Sequence, residues 1–358
     1  NDDHKSTENY EDINKKKVLN DSQTQKAENT QSQIKKTIPL SNLPGGRTGG
    51  VYVPPFKLAQ LYERLIEEKD TSNPEYQKMM WDLLKKSLNG IINKVNSSNI
   101  QNIVLELLNE NLLKGKGLLA KAIMKSQIAS PTFTNVYASL VAVINSKLPD
   151  IGRIILNRYV VMFQKSYKRN SKIQLQACIR MLAHLVNQQV VTELLSLEIL
   201  VLLLESPTED SVELACELMK ECGQSLEALN ASITQDIFEK FRVILHEGTV
   251  DRKTQYSIEA LFAIRKSNYK NFPGLPEDLD LVEDDDKIIH NVSIQDSIPS
   301  GLDHSVEPNS NIQENPLEQN FDNIGTEEQL DIFRFDPKYE PNEEEWNKIK
   351  LELLGENE

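Results

Sequence analysis

Residues 81–99 read Trp81-Asp82-Leu83-Leu84-Lys85-Lys86-Ser87-Leu88-Asn89-Gly90-Ile91-Ile92-Asn93-Lys94-Val95-Asn96-Ser97-Ser98-Asn99. Trp81, Leu84, Leu88 and Ile92 recur at spacings of three and four, so they fall on one face of a helix. The pattern then breaks at an Asn-Lys-Val-Asn corner whose polar groups have no evident structural task. Gly90 inside the helical pattern costs roughly 1 kcal/mol relative to Ala, which is tolerable if the missing side chain lets another backbone come close. Two readings stay open on composition: a plain helix end capped by Asn, or a docking corner built from Gly90, Asn93, Lys94 and Asn96. Composition alone favours the first. Chains of stacked helices put partner-binding groups at such corners, which gives the second its interest.

Working outward, helical periodicity persists from Val51 to about Asn271, with punctuation every ~15–20 residues. Asn73-Pro74-Glu75 places Pro at a first helical position behind a capping Asn. Ser98-Asn99-Ile100 starts a helix expected to stop near Gly115 and Gly117. Ser130-Pro131-Thr132 starts the next, and Pro149-Asp150 opens one that runs into Tyr167-Lys168-Arg169-Asn170. Ser206-Pro207-Thr208-Glu209 caps another, with Cys222-Gly223 as its expected stop. About ten or eleven helices result, pairing as Pro131–Lys147 with Asp150–Asn170 and Thr208–Cys222 with Ser232–His246. A pair period near ~40 residues points to an all-α, HEAT-like α-solenoid, with a compact irregular bundle as the alternative.

The flanks differ. Residues 1–47 are polar and almost free of large apolar side chains, so they read as disordered. Lys15-Lys16-Lys17 is a solvated charge cluster or a weak nuclear-import element. The stack occupies 48–275. Residues 276–358 read as an acidic linker with two exceptions: Leu330–Phe335, an aromatic segment able to dock back onto the stack, and a short helix near 342–354. The chain opens with Asn and lacks a signal sequence, which predicts a fragment of an intracellular protein, and its last helix reads as the entry to something further downstream.

Charge is uneven. The chain carries −14, yet residues 277–358 hold 24 acidic and 5 basic side chains, so the tail is at −19 and the rest at +5. No run is long and apolar enough to predict a membrane span. Cys178, Cys216 and Cys222 lie in apolar helical patterns and read as reduced core thiols, without His at metal-ligand spacing. Gly45-Gly46 and Gly49-Gly50 lack the Lys-Ser/Thr of a phosphate loop. His184, in Met-Leu-Ala-His-Leu-Val, reads as a core or groove histidine. The expectation is a non-catalytic protein with no cofactor and no metal.

One other constellation can bind. Lys165, Tyr167, Lys168 and Arg169, with Lys172 beyond and Arg153 and Arg158 earlier on the same helix, form a basic stretch able to track phosphates. A solvated turn is the alternative, and residues 48–276 carry only +4, short of the footprint of a primary nucleic-acid binder.

Several phrases together resemble one family: Gly49-Gly50-Val51-Tyr52-Val53-Pro54-Pro55; the stretch from Trp81 to Asn96; Gly115-Lys116-Gly117-Leu118-Leu119; Pro131–Ala138; Leu203–Val212; and Gln255–Lys266. Their order and spacing resemble the nucampholin, or Cwc-twenty-two, family of pre-mRNA-splicing factors. That resemblance implies a middle domain of the initiation-factor-4G type, about five antiparallel helix pairs flanked by disordered termini, and it implies a second helical domain further along, absent from this chain. It implies a nuclear scaffold that binds the initiation-factor-4A-like DEAD-box helicase of the exon junction complex, holds its lobes apart and delivers it to the spliceosome. Other spliceosome proteins, and RNA more weakly, are the remaining implied partners. By motif, the helicase contact falls on Gly90, Asn93 and Lys94. A translation-type scaffold of the same fold, or a direct RNA-binding module, is the alternative function.

Overall fold

The computed structural model describes residues 71–295 and 330–355. The 1–47 segment, expected to be disordered, the Gly49–Pro55 phrase and most of the Pro/Asn/Ser-rich linker therefore lie outside the described residues.

Eleven α-helices and no strand fall among the described residues. Pro74–Ile92 is α1, and it starts as the sequence dictates: the Glu75 amide donates to the Asn73 side chain at 2.8 Å, with Pro at the first turn. Ile100–Leu108 is α2, Leu112–Ala129 is α3, Thr134–Lys147 is α4 and Pro149–Lys168 is α5. Lys172–Asn187 is α6, Glu193–Glu205 is α7 and Glu209–Leu229 is α8, the last opened by a capping box between Thr208 and Ser211. Ala231–Glu247 is α9, ended by Gly248 in the left-handed region, Arg252–Lys266 is α10, and Tyr339–Gly355 is α11.

Two expected helix ends are corrected. The helix begun near Asn99 stops at Leu108, where Asn109 bonds back to the Leu105 carbonyl, and Asn111 caps a new helix that runs through both Gly115 and Gly117. Those glycines serve packing: a Cβ on Gly115 would meet the Leu88 side chain at 3.1 Å. Likewise α8 passes Cys222-Gly223 and ends at Leu229, because a Cβ on Gly223 would lie 2.6 Å from the Tyr269 hydroxyl. A glycine that makes room for a distant residue reads in sequence like one that ends a helix.

The helices α2, α4, α6, α8 and α10 pack side by side in one layer; α1, α3 and α5 pack in a second, and α7 packs on α9. Most helices also pack on a chain neighbour, α4 on α5 and α8 on α9 as the spacing predicts. The result is a HEAT-like α-solenoid of five helix pairs. The repeat is written in its polar contacts. Lys172 with Asp210, Arg180 with Glu217, Asn187 with Ser225, Lys253 with Glu213 and Arg265 with Glu227 join residues 37 to 40 apart across α6, α8 and α10. The core between the layers is built from Leu, Ile and Val with Tyr159, Phe163, Phe238 and Phe241 fully buried.

The residues after Pro276 behave differently from a free acidic linker. Leu279 is buried, and its carbonyl accepts from Ser139 Oγ at 2.8 Å and Gln188 Nε2 at 3.0 Å. His290 bonds through its backbone to Val190 and Thr192, and the Glu198 carboxylate accepts from Ser293 and the Ile294 amide. Acidic composition misled here because the acidic side chains face solvent while the backbone and a few apolar residues make the contacts. The segment 330–335 docks onto the stack as expected, with Phe333 against Trp81.

Candidate partner-docking edge

In an alternating stack, every turn from an odd helix to the next even one lies on the same edge. The turns 93–99, 130–133, 169–171, 206–208 and 248–251 are of this kind. The Asn93-Lys94 corner and the Lys168-Arg169 turn, separate in sequence, therefore share one edge. The second of those turns touches the first, since Ser126 at the end of α3 donates to Asn93 Oδ1 at 2.9 Å.

At the corner, Ile91 and Ile92 are buried and fasten the end of α1, while Gly90, Asn93 and Lys94 are exposed. Asn93 caps the helix with its backbone, donating to the Asn89 carbonyl at 3.1 Å. With its carbonyl oxygen held by Ser126, its amide nitrogen stands as a donor of fixed orientation. Lys94 sits 3.7 Å from Glu106, with both side chains at least half exposed. Such a pair contributes about 0–1 kcal/mol and leaves the ammonium available to a carboxylate of a partner. Asn96 has the structural task that composition did not reveal. Its Oδ1 accepts from the Ser98 amide at 3.0 Å and the Ser98 hydroxyl at 2.7 Å, while Asn99 bonds the Asn96 amide and the Lys94 carbonyl. These bonds make a rigid turn of the residues behind Lys94. Around Gly90, a Cβ would meet nothing within 4 Å, and its φ is not positive. No backbone of the described chain approaches it.

The basic stretch comes apart on inspection. Lys168 and Arg169 are exposed at the turn, and Tyr167 lies on Phe163 with ring centroids 6.0 Å apart and planes at 23°, its own outer face open. Lys165 is half-buried. Lys172 is held by Asp210 at 2.6 Å and Glu213 at 2.7 Å, and these carboxylates raise its pKa. Arg158 does not belong to this surface at all: its side chain is 4% exposed and paired with Asp331 at 2.7 Å. Helical spacing had put it on the right helix, and its partner, 173 residues on, was invisible from there.

Elsewhere the chemistry is that of a folded interior. His184 and Glu221 approach to 3.5 Å beside a cleft of about 240 Å³ that also takes in Asn135, Arg180 and Phe272. Burial, with Arg180 adding to it, pushes His184 down to about 4, so its imidazole is neutral near pH 7. Burial pushes the Cys216 and Cys222 thiols up to about 12, away from thiolate chemistry. Among the described residues no group of three or more His, Cys, Asp or Glu is arranged to hold a metal, and no helix is long and apolar enough to cross a membrane. Sequence reasoning missed Ser126, which holds Asn93, and Glu106, which faces Lys94; neither carries a local signal, since both act from neighbouring helices.

Residues 85–268 match the MIF4G domain family, a span that takes in the corner and the basic turn. The chain is similar to the pre-mRNA-splicing factor cwc22 of Emericella nidulans, at 45% identity over 310 residues that are 87% of this chain and 32% of that protein. It is 43% identical to the pre-mRNA-splicing factor cwf22 of Schizosaccharomyces pombe, over 91% of this chain and 33% of the relative. The pre-mRNA-splicing factor CWC22 homolog of Danio rerio is 46% identical over 87% of this chain and 28% of its own length. The chain thus spans about a third of the length of the curated relatives it matches.

Proposed function

We propose, for a chain that belongs to the MIF4G domain family and is similar over most of its length to Cwc22 pre-mRNA-splicing factors, a role as a nuclear scaffold in splicing whose first repeat docks a DEAD-box helicase of the initiation-factor-4A type. The observation that carries the reading is the corner itself. Gly90 gives up helix propensity with nothing among the described residues to gain from it, and Asn93 and Lys94 stand exposed on a rigid turn beside it. A flat approach over Gly90 lets a helicase lobe reach both side chains, Asn93 as a hydrogen-bond donor and Lys94 as a cation for a carboxylate. Asn96 holds the turn in shape. Delivery of that helicase to the spliceosome for exon junction complex assembly follows from the same resemblance.

The test is the double substitution Asn93→Asp with Lys94→Glu, which removes the amide donor and reverses the lysine charge at two exposed positions. Capture of a purified initiation-factor-4A-like helicase should be lost, with stability changed by no more than about 0.5 kcal/mol. Undiminished capture by the double variant would sink the assignment. Comparing nuclear and cytoplasmic helicase paralogues in the same assay separates a splicing scaffold from a translation scaffold of the same fold.

A further inference from the structure

Two polar side chains buried in the odd-numbered layer, Gln77 and Arg158, have partners in the 330–346 segment. Gln77 of α1, 1% exposed, closes a two-way clasp with Asp336: its Nε2 donates to the Asp336 carbonyl at 2.9 Å, and its Oε1 accepts from the Asp336 amide at 2.8 Å. Arg158 of α5 donates to Asp331 at 2.7 Å and to the Gly117 carbonyl at 3.0 Å. Gly117 of α3 has no room for a side chain, since a Cβ would lie 2.5 Å from the Leu330 carbonyl oxygen. Phe333 packs on Trp81, and Tyr339 meets Tyr76 edge-on at 6.3 Å while the Lys114 ammonium sits 3.8 Å over its face. Trp346 is buried at 2% exposure. One segment thus fastens α1, α3 and α5 together.

Among the described residues no helix precedes α1, and a terminal repeat of a solenoid is closed by a cap. We propose that Leu330–Trp346 is the cap of the first repeat. By fixing the N-terminal half of α1, it sets how the Gly90–Lys94 corner is presented at the other end. Gln77, Gly117, Arg158, Asp331 and Phe333 are then positioning residues for partner binding. The inference rests on the reading of the corner as the helicase contact. Gln77 and Asn93 lie about 24 Å apart along one uninterrupted helix. Between them Leu84 and Leu88 pack on α3 at Gly115. The corner end is also held directly by Ile91, Ile92 and the Ser126 bond, so loss of the clasp at Gln77 lets α1 tilt about those contacts and shifts how Gly90–Lys94 is presented.

Gly117→Ala is the discriminating variant in the full chain. If Gly117 acted only within its helix, Ala would strengthen α3. With the cap in place, the added methyl pushes the Leu330 backbone away. Hydrogen exchange should therefore speed up in residues 74–92 and 330–346 and stay unchanged in α8 and α10, and helicase affinity should fall about fivefold or more. Phe333→Ala, which removes packing without a buried charge left behind, should do the same. Unchanged exchange in α1 for both variants would overturn the cap. Faster exchange in α1 with unaltered helicase affinity would overturn the positioning role. Failure of the unmodified chain to bind helicase overturns the corner reading instead, and the exchange measurement then decides the cap on its own.

Discussion

Gly90 is a residue whose cost is visible and whose benefit no described residue supplies. An exposed helical glycine with open space around it can be replaced by Ala with a gain of up to about 1 kcal/mol. Gly90→Ala should raise the urea midpoint with the slope unchanged. Gly90→Phe should fold equally well and lose helicase capture by steric exclusion. A midpoint that fell on Gly90→Ala would reveal an internal need for the glycine and remove the reason to look for an external one. His184 makes a second residue-scale prediction. Its folded pKa is depressed to about 4 from an ordinary 6.5, by burial first and Arg180 second. Both states are neutral above pH 6.5, so nothing is lost there. Between pH 6.5 and 4 the unfolded chain takes a proton that the native one refuses, and stability falls by about 2–3 kcal/mol. The Glu221 carboxylate at 3.5 Å favours the protonated ring and so works against this fall. His184→Gln should flatten the stability profile across this window, and a profile that kept its fall would move the cause to another group.

At the scale of helices, the cross-helix ladder is the informative feature. Glu213 of α8 is shared by Lys172 of α6 and Lys253 of α10, both well exposed, whereas Glu217 and Arg180 are mostly covered. Glu213→Gln should therefore cost under about 1 kcal/mol. Glu217→Gln, which leaves Arg180 facing a neutral amide in a covered site, should cost about 1–3 kcal/mol. Equal losses in thermal or urea unfolding would contradict this ranking by burial. The ladder was legible in principle, since Lys172, Arg180 and Glu213, Glu217 recur at helical spacing about one repeat apart. Helix starts were legible outright, because Asn73-Pro74 and the Thr208 cap act within a few residues of themselves. Helix ends at Gly115, Gly117 and Gly223 were not, because those glycines answer to Leu88, Leu330 and Tyr269. The corner was legible as a break in periodicity, but not its stiffness, which comes from Ser126 and Asn99. Arg158 was misread for the same reason as the glycines: its meaning lies in Asp331, at the far end of the chain.

For the molecule as a whole, charge decides what the docking edge can hold. The net −14 hides a stack near neutrality and an acidic tail, part of which is laid against that stack between Leu279 and Ile294. Two of the basic side chains that suggested an RNA surface are engaged within the protein, Arg158 by Asp331 and Lys172 by Asp210 and Glu213. Lys168 and Arg169 stay exposed on the edge that also carries Asn93 and Lys94. RNA binding through that turn should thus be weak and purely electrostatic, with few phosphates neutralised. Each phosphate contact adds close to one unit to the slope of log affinity against log salt, and somewhat less on single strands. Filter binding across a salt series should give a slope of about −1 to −2 for the unmodified chain. The double charge reversal Lys168→Glu with Arg169→Glu should bring it close to zero, while helicase capture through the Asn93 corner persists. A slope that survives the reversal would place any RNA contact elsewhere. Loss of both activities together would mean that a single ligand spans the turns at 93–99 and 169–171, making the whole edge one interface.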